Sequence, residues 1–152
     1  QCNTKGTLFM ALLRGTNIPC RVHGFTIDKK LQKGAMTGFV YANAPHAEAD
    51  VLLVGFNSTR GALEEVQEAL NAEGIKTNHA HVRLLFPFPA EEMTKYMDGA
   101  KKVIVVENNA TGQLANIMKM SIGGHAKIAT VLKYDGTPFL PRELTNLVKE
   151  KI

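Results

Sequence analysis

The 152-residue chain predicts an α/β domain, a three-layer α-β-α sandwich around a mostly parallel sheet, on three observations. From residue 49 onward, apolar runs of strand length alternate with segments of helical period. The runs are continuous rather than alternating, as strands covered on both faces require. Short connections between them favour right-handed crossovers and helices on both sides of the sheet.

"ADVLLVGF" (49–56) is the first such run and reads as an interior parallel strand. In "TRGALEEVQEALNAEG" (59–74), Ala62, Leu63, Val66, Ala69 and Leu70 fall on one helical face, with Glu64, Glu65, Gln67 and Glu68 turned outward. Gly74 stands where a helix C-cap wants positive φ. "IKTNHAHVRLLF" (75–86) is the second strand, stopped by Pro87 and Pro89. "PAEEMTKYMDGA" (89–100) opens on Pro, carries acids in its first turn and meets Gly99 near its end, a helix by its punctuation. "KKVIVVE" (101–107) is the third strand and "GQLANIMKMSI" (112–122) the helix after it. "KIATVLKY" (127–134) is the fourth strand, Asp135-Gly136 a turn and "PRELTNLVKEKI" (141–152) the last helix. Residues 1 to 48 are punctuated by Gly6, Gly15, Gly24, Gly34 and Gly38 and keep no apolar face for long; they read as a linker with one or two short strands.

Composition narrows the function. With 45% hydrophobic residues the chain can bury one core but is too short for two full domains. Six basic against two acidic side chains before residue 49 account for the whole formal charge of +4, so the globular part is balanced and shows no basic stripe for nucleic acid. Cys2 and Cys20 lie far apart and form no C-x-x-C pair, which supports no zinc or iron–sulfur framework and a reduced, cytoplasmic setting. "LFMALL" (8–13) is too short to span a bilayer and lacks signal-peptide flanks, so no membrane role is expected. An initial Gln in place of Met is expected of a chain processed or excised from a longer one.

The C-terminal ends of parallel strands share one edge of the sheet, where ligands usually bind. Three polar turns fall there: "NSTR" (57–60), "PFPA" (87–90) and "ENNATGQ" (107–113). In the last, Asn108, Asn109, Thr111 and the amides around Gly112 could form a donor-rich pocket, with Glu107 as an acid/base group or hydrogen-bond acceptor. Equally, Thr111 or Asn109 caps a helix and Gly112 permits close packing, and a single Gly is far weaker than G-x-G-x-x-G or a P-loop. Ser58, Thr59 and Arg60 could meet an anion or simply begin a helix; Phe86 and Phe88 divide between core and surface, or form an interface. His79 and His81 share a strand face, half of a metal site with no third ligand in view; His23, His46 and His125 are isolated.

Taken together, "GFNSTRGALEEV", "EGIKTNHAHVRLLFPFP", "KKVIVVENNATGQLANIM" and "VLKYDGTPFLPRELTNLV" resemble, in this order, one family: the C-terminal, transketolase-C-terminal-like domain II of the alpha subunit of 2-oxoacid:ferredoxin oxidoreductases, the pyruvate and 2-oxoglutarate synthase group. The resemblance covers residues 49–152 and is strongest at "PFP", "VVENNATGQL" and "GTPFLPREL"; residues 1–48 would be the extension from a preceding domain. It implies a whole enzyme that decarboxylates a 2-oxoacid with thiamine diphosphate, passes electrons through iron–sulfur clusters to ferredoxin and forms an acyl-CoA. It also implies that this part binds none of those cofactors alone, in keeping with two scattered cysteines and no Gly-Asp-Gly thiamine diphosphate signature. The implied partners are the beta subunit, a gamma subunit in some members, and ferredoxin for the whole complex. On this reading the edge is a docking surface. Ser58, Thr59, Arg60, Glu107, Asn108, Asn109, Thr111 and Gln113 are its polar candidates, with Glu107 a hydrogen-bond anchor, and Phe86 and Phe88 its apolar ones. The rival expectation is a stand-alone module that holds a phosphate-bearing ligand with Ser58, Thr59, Arg60 and the Gly112 amides.

Overall fold

The computed structural model describes residues 40–42, 48–123 and 127–152. Expectations for the remaining positions, among them Cys2, Cys20, His23, His46, His125 and most of the 1–48 stretch, lie outside the described residues. Along the chain run β1 (Val40–Ala42), β2 (Ala49–Phe56), a single 3-10 turn (Asn57–Thr59), α1 (Arg60–Ala72), β3 (Thr77–Val82), α2 (Ala90–Asp98), β4 (Ala100–Glu107), α3 (Gln113–Ser121), β5 (Ile128–Leu132) and α4 (Pro141–Lys149).

The strands form one sheet in the order β1-β3-β2-β4-β5. β2, β3, β4 and β5 are parallel, and β1 pairs antiparallel on the β3 edge with Val40 opposite Val82. At the centre, Val51, Leu52, Leu53 and Val54 of β2 and Val103 through Val106 of β4 are buried whichever face they point to. That is why these two strands carry unbroken apolar runs.

Two cores result. On one face Leu52, Val54, Ala80, Val103 and Val105 pack under Met93 and Met97 of α2 and Leu114, Ala115 and Met118 of α3. On the other, Val51, Leu53, Ile104, Val106 and Val131 meet Leu63, Val66 and Leu70 of α1 and Leu144 and Val148 of α4. Each Val, Leu, Ile or Met among them, fully buried, contributes about 1.5–3 kcal/mol. Helices on both faces make the three layers.

Two details depart from the sequence reading. β3 ends at Val82, four residues before the expected Phe86. Gln67 is not outward-facing: it is buried, and its Nε2 donates to the Thr77 carbonyl at 3.1 Å. A helix lying this close to a strand end can satisfy an inward amide that the 3.6 period alone counts as polar surface. Gly74 does take φ +85 behind α1, where the Glu73 and Ile75 amides close on the Ala69 and Leu70 carbonyls. Among the described residues no helix is long and apolar enough to cross a membrane.

Candidate functional site

After β2 the chain runs outward to β3, and after β4 it runs the opposite way to β5. The crevice beyond the C-terminal ends of β2 and β4 is therefore a topological switch point, the place where an open α/β sheet leaves room for another molecule. Ser58 and Asn108 line it from the ends of those two strands. With Lys133, Tyr134, Gly136, Thr137 and Pro138 they bound an open depression of about 460 Å³. The loop after β5 was missed by motif reading, which saw in Asp135-Gly136 only a turn; strand polarity alone places it on the same edge.

The turn from β4 into α3 is closed from within. Glu107, the last residue of β4, is fully buried. Its Oε2 accepts the Leu114 N–H at 2.8 Å and the Asn109 Nδ2–H at 2.8 Å, and its Oε1 accepts the Ala115 N–H at 3.0 Å. Asn109 Oδ1 in turn accepts the amides of Thr111 at 3.1 Å and Gly112 at 2.8 Å, with Gln113 more distant at 3.4 Å. Gly112 adopts φ +62, ψ 50, a conformation that glycine enters without steric cost, and swings the chain so that α3 begins directly over the carboxylate. The helix N-terminus is a natural anion site, and here the anion is the chain's own side chain. This removes the donors on which the phosphate-binding alternative relied: the Gly112-region amides are engaged, and none of them faces solvent unpaired as a cradle needs. Thr111 is not the cap either. α3 has no side-chain cap at its formal N-cap position, because Glu107, seven residues upstream of Leu114, performs that work.

The 57–60 turn is likewise turned inward in part. Asn57 has φ 60, a left-handed conformation that Asn tolerates better than most residues. Thr59 is buried and donates its hydroxyl to the Phe56 carbonyl at 3.0 Å instead of capping α1. Arg60 Nε meets Glu64 Oε1 at 2.8 Å along the helix surface. Just before this turn, Gly55 is required by space: a Cβ there would collide with Leu63 Cδ1 and Thr59 Oγ1.

Of the ten edge candidates, Ser58, Asn108, Thr111, Gln113 and Phe86 are exposed. Arg60, Phe88 and Asn109 are half-buried, with Phe88 packed on the α2–α3 core. Thr59 and Glu107 have no surface to offer a partner, since their polar atoms are spent on the fold. Phe86 is 91% exposed and Tyr134 73%, two large apolar rings left in water beyond the ends of β3 and β5.

The β5 loop is pinned by Lys133, whose Nζ donates to both oxygens of Glu143 at 3.0 and 2.8 Å and to the Pro138 carbonyl at 3.2 Å. That ammonium lowers the Glu143 carboxyl below its ordinary value, and the Thr137 amide and hydroxyl do the same for Asp135. His79 and His81 are both buried on β3. Among the described residues no group of three or more His, Cys, Asp or Glu side chains could hold a metal ion.

Comparison with known proteins gives a consistent picture. The family described as pyruvate:ferredoxin oxidoreductase core domain II matches residues 49–144. The alpha subunit of 2-oxoacid:ferredoxin oxidoreductase 2 from Aeropyrum pernix is 38% identical over 106 residues, 68% of this chain and 16% of that one. The structure of 2-oxoglutarate:ferredoxin oxidoreductase from Magnetococcus marinus, with 2-oxoglutarate, coenzyme A and succinyl-CoA bound, superposes with a TM-score of 0.69 at 29% identity. It covers 81% of this chain and 21% of its own. Transketolase from Campylobacter jejuni shares the fold alone, with a TM-score of 0.54 at 15% identity over 74% of this chain and 18% of its own. The chain thus spans about a fifth or less of the length of these relatives.

Proposed function

The chain belongs to the pyruvate:ferredoxin oxidoreductase core domain II family, and on that premise we propose that it is an assembly domain rather than a catalytic one. It works within an enzyme that oxidatively decarboxylates a 2-oxoacid to an acyl-CoA and passes the electrons to ferredoxin. In this reading residues 49–152 are the transketolase-C-terminal-like domain and residues 1–48 its connection to a preceding one. Thiamine diphosphate, the iron–sulfur clusters and coenzyme A are held by other domains and subunits, and the working enzyme is cytoplasmic. The C-terminal edge of the sheet docks against a neighbouring domain or the beta subunit.

The observation that carries the reading is the division of labour at that edge. The groups with reactive or anion-binding potential, Glu107 and the amides at the start of α3, are bonded inward. What faces solvent is a set suited to contact: Ser58, Asn108, Thr111 and Gln113 as donors and acceptors, with Phe86 and Tyr134 as rings. Exposed aromatics amid polar neighbours are the side chains that anchor interfaces when a partner covers them.

Two measurements test it. The purified chain, given a 2-oxoacid, thiamine diphosphate, coenzyme A and a dye acceptor, should show no turnover; turnover without any partner chain would overturn the reading. In the assembled enzyme, Phe86→Asp combined with Asn108→Lys should weaken co-purification with the beta subunit while the isolated domain melts as before. Undiminished assembly would exclude this edge as the surface that docks the beta subunit.

A further inference from the structure

Beneath α1 lie two imidazoles for which the docking role has no use. His79 and His81 stand two apart on β3 and so share a face. The register sets His79 beside Leu53 and His81 beside Gly55, and Leu53 belongs to the core that α1 closes with Leu63, Val66 and Leu70. Both rings are buried, His79 completely. Their centroids are 6.0 Å apart with planes inclined at 70°. Among the described residues, neither nitrogen of His79 nor Nδ1 of His81 has a hydrogen-bond partner.

A neutral ring tolerates such a place better than a charged one, because an imidazolium brings two N–H donors and a charge that need acceptors. Among the described residues the surroundings supply few. From α1, Glu64 attracts a proton to either ring, but its Oε1 is already taken by Arg60. Arg60 itself repels a proton on either ring, and Arg83, beyond the end of β3, repels one on His81. β2 contributes only Leu53 and Gly55 in register, β1 places Tyr41 opposite His81, and the Thr77 carbonyl is occupied by Gln67 and Asn71. Burial first, and the neighbouring ring second, hold His79 down at about 4. Burial, then Arg60 and Arg83, lower His81.

We propose that this pair is an acid-sensitive latch for α1: with both rings neutral the helix stays seated on β3, and a proton taken up by either ring unseats its first two turns together with the 57–60 turn. The second half of the helix stays anchored by Leu70, by the bonds of Asn71 to Thr77 and by the Gly74 cap. The seated state binds fewer protons than the opened one, so its advantage is complete above pH 6.5, the ordinary value for a solvated imidazole, and fades as pH falls towards 4. For His79 alone, the opening equilibrium should rise roughly twentyfold from pH 7 to pH 5. In the free chain none of this depends on what the sheet edge docks against.

Amide hydrogen exchange of the full 152-residue chain, corrected for intrinsic rates and read separately for α1 and α4, tests the latch. The expected result is a rise in α1 opening between pH 7 and pH 5 that α4 does not share, and that disappears in a His79→Leu/His81→Leu variant. An equal rise in both helices, or an undiminished rise in that variant, overturns the proposal. Should the double variant fail to fold, nuclear magnetic resonance titration of the native imidazoles decides instead: a His79 that titrates near 6.5 in the folded chain overturns the latch, and one that stays neutral down to pH 5 supports it.

Discussion

Glu107 shows how little a residue's type says about its use. Every partner of its carboxylate in the turn is a donor, two of them the first amides of α3 that helix geometry leaves unpaired. Glu107→Gln turns one acceptor into an NH2 group facing N–H donors in a buried site, and should cost about 2–3 kcal/mol of stability in urea denaturation. Gly55→Ala should cost about 1–3 kcal/mol by the same measurement, since the new methyl must displace Leu63 and Thr59. In the sequence Glu107 could be picked out as notable only because an acid ends an apolar strand. Its partners lie seven and eight residues on and come into reach only once Gly112 has turned the chain. Local patterns of the capping-box kind span three residues, so no motif could have announced this one. The inward turn of Thr59 was hidden for the same reason: a hydroxyl before a helix can bond forward to an amide or back to a carbonyl, and the choice depends on the 3-10 turn between β2 and α1.

Elements were more legible than residues, and the reason is burial. β2 and β4 reveal themselves because a strand covered on both faces has no position where a polar side chain is cheap. Their observed spans begin or end within a residue of the apolar runs. α1 shows the limit. Leu63, Val66 and Leu70 mark its buried face, but Gln67 joins them by finding a carbonyl at the start of β3. Leu70→Ala, a cavity at a wholly buried site, should cost about 2–5 kcal/mol, whereas Glu68→Ala on the exposed face should stay within about 0.5 kcal/mol. Guanidinium denaturation midpoints of the two variants would separate them plainly. The end of β3 was overestimated because Arg83, Leu84, Leu85 and Phe86 keep the composition of a strand after leaving the sheet. Nothing in composition distinguishes a paired residue from one that has just run past its neighbours.

At the scale of the whole molecule, loss of stability in acid should come in two stages. The first, between pH 6.5 and about 4, belongs to the buried histidine pair, and for His79 amounts to roughly 3 kcal/mol. The second lies lower. Asp50, lowered by Lys101, Asp135, lowered by Thr137, and Glu143, lowered by Lys133, contribute stability above their ordinary values of 3.8, 3.8 and 4.5 that is lost as pH falls below them. Urea midpoints followed from pH 8 to pH 3 should show both stages in the native chain and only the lower one in the His79→Leu/His81→Leu variant. The order of strands was the part of the architecture that sequence left open. Alternation announces a parallel sheet, but the antiparallel β1 comes from a glycine-punctuated stretch with no sustained apolar face. That short strand has a practical consequence, because the family match begins at residue 49, beyond it. A chain trimmed to that boundary would bare the outer edge of β3, a row of unpaired amides and carbonyls beside Ala80, His81 and Val82 that invites another chain's edge to pair with it. Light scattering at equal concentration should find the protein starting at Ala49 clustering well before one starting at Gly38. Three residues that look like the tail of a linker would then prove to be what keeps the domain from sticking to copies of itself.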